Sequence, residues 1–189
     1  MMHTDEVTSH LIVTFVYFLV VGLVRWKFDL SYLLLWLGAL LGTFFLDIDH
    51  LVYWFVTHPE KEDSKEAGEV IRGIRNVGEI KERFKGLYLL LLKYHHLHHQ
   101  LIFHSVVGQA VLFVLAFYIL SSGGSVFASA FILAINLHLL KDEWRAYLKN
   151  KEELSDWLFW QVRMPMEKYL DLYLVGASVL FLILTVFFI

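Results

Sequence analysis

The chain has no cysteine, only two prolines and little charge: Asp, Glu, Lys and Arg make up 19% of its 189 residues. Without thiols there is no disulfide scaffold, no thiolate metal site and no cysteine nucleophile. The net charge of −3 offers no basic surface to a phosphate backbone, which excludes nucleic acid as a partner. No G-x-S-x-G elbow, P-loop or H-E-x-x-H occurs, so those chemistries have no support. Internal repeats and low-complexity tracts are also missing. What is abundant is apolar: 58% of residues are hydrophobic, with sixteen Phe, nine Tyr and six Trp. Soluble domains are about half apolar and a quarter charged, so this balance points to a membrane. Ten histidines are the exception to that pattern.

Charge-free stretches locate the expected spans. Val7 to Val24, Leu30 to Leu46 and Leu172 to Ile189 contain no Asp, Glu, Lys or Arg. The block between Lys93 and Lys141 contains none either, and is interrupted by Ser121-Ser122-Gly123-Gly124-Ser125. A bilayer core needs roughly 20 apolar residues per helix, and backbone groups in lipid must be bonded internally. These runs predict an all-α, polytopic membrane protein forming a single integral domain, with about five spans near residues 8–25, 30–56, 101–120, 125–141 and 171–189. Asp5 and Glu6 stand where a signal peptide carries basic residues, and no A-x-A-like site follows, so the first span reads as a retained helix. Segments 57–100 and 142–170, counted with Lys141, hold eight and six of the sixteen basic residues, leaving Arg25 and Lys27 opposite. The positive-inside rule then puts the N-terminus and both segments on the cytoplasmic side of the cell membrane. Val70, Ile74, Val77, Phe84 and Leu87 recur at near-helical spacing, which predicts an amphipathic helix on the inner leaflet. Gly38 and Gly42 form a G-x-x-x-G that reads as close helix packing.

Three clusters carry chemistry: Asp47-Ile48-Asp49-His50, the run from His95 to His104, and His138 with Asp142. Histidine beside carboxylate is the donor set of Zn²⁺, Mn²⁺ or Fe sites. Asp47 and His50 are i, i+3 and His138 and Asp142 are i, i+4, so each pair shares a helix face. At the helical rise, Asp47, His104, His138 and Asp142 all lie roughly 20–26 Å from the opposite ends of their spans. The clusters are therefore expected at one level near the cytoplasmic interface, and His10 falls at a similar level. Ionisable groups inside spans are costly and usually functional.

The order of these motifs resembles the small multi-spanning family of predicted membrane-bound metal-dependent hydrolases of bacteria and archaea, with its P-D-x-D-H, H-R-x-x-T-H-S and H-x-x-x-D motifs. Asp47, Asp49 and His50 match the first, His99, His104 and Ser105 the second, His138 and Asp142 the third. Leu46, Gln100 and Phe103 stand where the family has proline, arginine and threonine, and Gln100 removes a phosphate-binding donor. The resemblance implies one or two divalent ions, Zn²⁺ foremost with Mn²⁺ or Fe²⁺ as alternatives. Their ligands would be drawn from Asp47, Asp49, His50, His99, His104, His138 and Asp142, with Asp49, His104 and Asp142 at the chemistry. It implies hydrolysis by a metal-activated water, and the interfacial depth adds membrane lipids as partners and a lipid-like ester or phosphoester as substrate.

Two other readings stand beside it. His95, His98 and His99 spell the H-x-x-H-H box of membrane di-iron oxygenases and desaturases, although no second box follows. A metal transporter or structural metal protein is the non-enzyme alternative, but the spans lack a polar path beyond the clusters. His95, His96, His98 and His10 are left open as participants.

Overall fold

A computed structural model describes residues 4–27, 29–72, 77–94, 98, 100–162 and 167–189. Among these residues all regular structure is helical. The chain divides into two compact units, one of residues 1–46 with 102–189 and one of residues 47–101.

The first unit contains α1 (Thr4–Arg25), α2 (Leu30–Phe45), α6 (Val106–Ser121), α7 (Val126–Lys149), α8 (Lys151–Leu158) and α9 (Leu170–Phe188). Serines start two of them, as N-caps do: Ser105 Oγ accepts from Gly108 N and Ser125 Oγ from Ala128 N. Between α6 and α7 the chain reverses through Gly123, whose φ of +68° suits a residue without Cβ. Helix α7 is the central element, its Leu133, Ala134, Ile135 and Leu139 being fully enclosed. Around it, α1 exposes Ile12, Phe15 and Val16, α6 exposes Val111 and Val114, and α9 exposes Leu172 and Val186. Such apolar outer faces suit lipid rather than water.

Helix α2 approaches α7 closely because Gly38 and Gly42 have no side chain to keep them apart. A Cβ on Gly38 would run into the carbonyl oxygen of Phe127, and one on Gly42 into that of Phe131. Polar bonds join the remaining helices: Thr14 to Thr43 at 2.9 Å, Tyr17 to Thr185 at 2.7 Å and Trp144 to Ser178 at 2.9 Å. In lipid such bonds and small-residue contacts replace the hydrophobic drive for association.

Three helical runs are long and apolar enough to cross a membrane: Val7–Arg25, Leu30–Thr57 and Leu170–Phe188. Helix α6 is apolar but shorter, and α7 carries Lys141, Asp142 and Glu143 in its second half.

The second unit contains α3 (Ile48–Val52), a π-helical turn (Tyr53–Thr57), α4 (Glu62–Ile71) and α5 (Val77–Tyr94). Tyr53, Trp54, Ala67, Leu90 and Leu101 form its core, with Val70 and Leu87 packed against them. The single amphipathic helix expected across 70–87 is interrupted. Arg72, at φ −59° and ψ 131°, leaves the helical region and ends α4. Val70 and Leu87 face this core from two helices, while Phe84 is 67% exposed.

The seam between α2 and α7 yields a direct test. Gly42→Leu is expected to lower stability by about 3 kcal/mol, the upper range of overpacking, in thermal unfolding of detergent-solubilised protein. Gly176→Ala on α9, where a Cβ meets nothing, is expected to leave stability unchanged or raise it by up to about 1 kcal/mol.

Candidate metal centre

His10 on α1 and His138 and Asp142 on α7 converge in the first unit. His138 and Asp142 are one turn apart, so both project from the same face. His10 Nε2 lies 3.1 Å from one carboxylate oxygen of Asp142, and His138 Nε2 lies 3.0 Å from the other. The two imidazole rings stack with centroids 3.9 Å apart. One donor atom from each residue fits within a 4.8 Å sphere of mutual distance, the only such metal-competent group among the described residues.

The other face of His138 decides its protonation. His138 Nδ1 is 2.5 Å from the carbonyl oxygen of Thr43. A carbonyl only accepts, so Nδ1 carries the proton, and the contact of Nε2 with the Asp142 carboxylate requires either a second proton on the ring or a cation between them. Thr43 lies in the last turn of α2, where carbonyls lack intrahelical donors and the helix dipole is negative. Donation of one ring N–H to a backbone carbonyl is how metal-ligating histidines are oriented, the other nitrogen being left for the ion.

Lys141 completes the cluster. Its Nζ is 2.8 Å from His10 Nε2 and 3.3 Å from Asp142 Oδ1. His104, which precedes α6, is buried, and its ring stands edge-on to His138 with centroids 5.9 Å apart. Its neighbour Ser105 is occupied structurally, donating to Ile102 O at 2.7 Å while capping α6.

A second polar cluster of this unit was not visible in the sequence motifs. Glu143, fully buried, accepts from Gln109 Nε2 at 3.0 Å and from Tyr173 OH at 3.2 Å. It ties α6, α7 and α9 together. The available signal was a carboxylate beside Asp142 and a lone glutamine within an apolar helix.

Asp47, Asp49 and His50 belong to the second unit and are described within it. Asp49 and His50 are buried and Asp47 is half-buried at the start of α3. His50 Nδ1 lies 2.7 Å from His98 Nδ1, and His98 Nε2 lies 2.7 Å from Asp63 Oδ2. The Trp54 indole donates to the same carboxylate oxygen at 2.8 Å. Partial burial opposes ionisation of Asp63, but the bonds from His98 and Trp54 outweigh it and hold the carboxyl below its ordinary range. His98 is thus placed by the structure, and Asp63 is an additional partner that no motif indicated. His99, expected among the ligands, lies outside the described residues, as do His95 and His96.

Comparison of the chain with family models, with curated proteins and with solved structures gives no match.

Two outcomes follow from these contacts. Asp142→Ala, which leaves Lys141 without its carboxylate, is expected to cost about 3–5 kcal/mol in thermal unfolding, with Ser105→Ala costing about 1 kcal/mol. Asp63, with its depressed folded pKa, stabilises the fold fully above its unfolded value of about 3.9 and loses that contribution as the pH falls through the folded value. Acid unfolding of Asp63→Asn should therefore lack part of the wild-type loss of stability below that pH.

Proposed function

We propose that the chain is a membrane-embedded, metal-dependent hydrolase whose divalent ion is held by His10, His138 and Asp142. The observation that carries this reading is the pair of contacts on His138: Nδ1 on the Thr43 carbonyl and Nε2 3.0 Å from Asp142. Tetrahedral zinc with nitrogen and oxygen ligands near 2.1 Å would set donors about 3.4 Å apart. The two nitrogens stand 3.0 and 3.1 Å from different oxygens of Asp142, so a single ion would bring one of them towards the other's oxygen. Three protein ligands leave a position for water, as in catalytic rather than structural zinc sites. Such an ion supplies a water ionised near neutral pH and an electrophile for the attacked ester.

The remaining residues have separable tasks in this reading. Thr43 orients His138. His104 is the general acid–base beside the ligand set. Lys141 is the cation for an anionic headgroup, a charge that Gln100 does not supply where the resembled family has arginine. The polytopic arrangement of about five spans, with α6 and α7 joining the three long apolar runs and the site on the cytoplasmic side, belongs to the same proposal. Its support is the asymmetry of Lys and Arg. The substrate class is a lipid-like ester or phosphoester, from the expected depth of the site.

One observation favours a different reading. The Lys141 ammonium already bonds His10 and Asp142, so the cluster can be a structural ion network between α1 and α7 without metal. Elemental analysis of the purified protein separates the two. The hydrolase reading expects near-stoichiometric divalent metal, lost in His138→Ala and Asp142→Ala. Lys141→Met should retain the metal but lose most hydrolysis of anionic phospholipids or lysolipids. Metal-free wild type together with an unstable Lys141→Met identifies the structural network. Zinc- or manganese-loaded protein that releases nothing from either lipid class contradicts hydrolysis itself.

A further inference from the structure

Helix α5 has an inner face that the second unit uses fully. Leu87 and Leu90 pack in its core with Tyr53, Trp54 and Val70. Arg83 Nη1 donates to the carbonyl of Val70 at 2.7 Å, and Tyr94 OH donates to Glu66 at 2.7 Å. Gly86 lets α4 approach, since a Cβ there would stand 3.0 Å from a methyl of Val70.

The opposite face has a different character. Ile80, Phe84 and Tyr88 follow one another at four-residue intervals, and Lys81, Lys85 and Leu89 form the row beside them. Residues at such spacings share one side of a helix. All six are exposed, Phe84 by 67% and Leu89 by 54%. Of the four cations on α5, Arg83 bonds to Val70 and Lys93 to Glu66, while Lys81 and Lys85 stand among the outer apolar groups. The acids Glu79 and Glu82 fall on another side, that of Gly86 and Lys93.

A cluster of large apolar side chains is poorly suited to water. Aromatic and aliphatic groups interleaved with lysine instead match helices that lie in a lipid interface, where an anionic leaflet attracts the ammonium groups. The second unit also carries its own link to a bilayer. Trp54 in its core belongs to the run Leu30–Thr57, which is long and apolar enough to cross a membrane. Helix α5 is therefore packed on the residues with which that run ends. Val70 and Leu87, expected to face lipid, are turned inward, whereas Phe84 points outward with a different set of neighbours.

We infer that the outer face of α5 docks on an anionic membrane surface. Ile80, Phe84, Tyr88 and Leu89 enter between the headgroups, and Lys81 and Lys85 pair with lipid phosphates. The assignment concerns the second unit alone and stands independently of the metal centre on α1 and α7.

The absence of cysteine from the chain makes the test clean, because a single introduced thiol carries the only spin label. Tyr88→Cys and Leu89→Cys report the outer face, and Glu69→Cys reports an exposed position on α4. The full chain is placed in nanodiscs of equimolar phosphatidylcholine and phosphatidylglycerol, and collisions of each label with oxygen and with a water-soluble nickel chelate are measured by electron paramagnetic resonance. Labels at Tyr88 and Leu89 are expected to favour oxygen, as groups in lipid do, and the label at Glu69 to favour nickel. Phosphatidylcholine alone, which leaves the chain unaltered, is expected to abolish the oxygen preference at Tyr88 and Leu89. Lys81→Glu with Lys85→Glu should abolish it in the anionic discs. Nickel preference at Tyr88 and Leu89 in anionic discs overturns the inference, as does an oxygen preference that persists in phosphatidylcholine. Labels shielded from both reagents overturn it as well, since a second copy or another protein then covers the face.

Discussion

The contact between α2 and α7 is the constraint on which the candidate centre depends. Gly38 and Gly42 bring the α2 backbone against the carbonyls of Phe127 and Phe131. That approach puts the carbonyl of Thr43, one residue beyond Gly42, within reach of His138. Larger residues in the seam would separate the helices and leave the imidazole without its anchor. The same carbonyl belongs to the last turn of α2, where an acceptor is left over by helix geometry. Packing by small residues and the chemistry of a helix end therefore converge on one nitrogen atom.

Ionisable groups in apolar helices are tolerated only when they satisfy one another, and each unit does this differently. In the first, Asp142 is faced by two imidazoles and an ammonium, a cluster rich in both donors and potential ligands. Glu143, one residue along, is met instead by uncharged donors, Gln109 and Tyr173 on other helices. In the second unit, His98 contacts His50 through one ring nitrogen and the Asp63 carboxylate through the other. Adjacent or similar residue types thus take different tasks according to how many partners surround them.

Local features were legible in the sequence and distant juxtapositions were not. The apolar helices follow from charge-free runs along the chain, and the G-x-x-x-G seam and the shared face of His138 and Asp142 from spacings of four residues. His10 was placed by depth alone, since nothing in its neighbourhood indicates that its ring stacks on one 128 positions later. Asp63 lies in an ordinary charged stretch, and its bond to His98 depends on how α4 folds back within the second unit. Lys141 counted only as a basic residue at the end of a span, although its ammonium meets both His10 and Asp142. Of the apolar positions expected across 70–87, Val70 and Leu87 face the core and Phe84 does not, Ile74 lies outside the described residues, and the single helix is broken at Arg72, where the backbone turns away.

The account rests on whether the cation between His10, His138 and Asp142 is a metal ion or the lysine beside them. An anomalous difference map at the zinc edge, from zinc-loaded protein, tests this most directly. The account predicts a peak about 2.0–2.2 Å from His10 Nε2, His138 Nε2 and a carboxylate oxygen of Asp142, with the Lys141 ammonium displaced from His10. A map without that peak, in which Lys141 still bonds both His10 and Asp142, would contradict it.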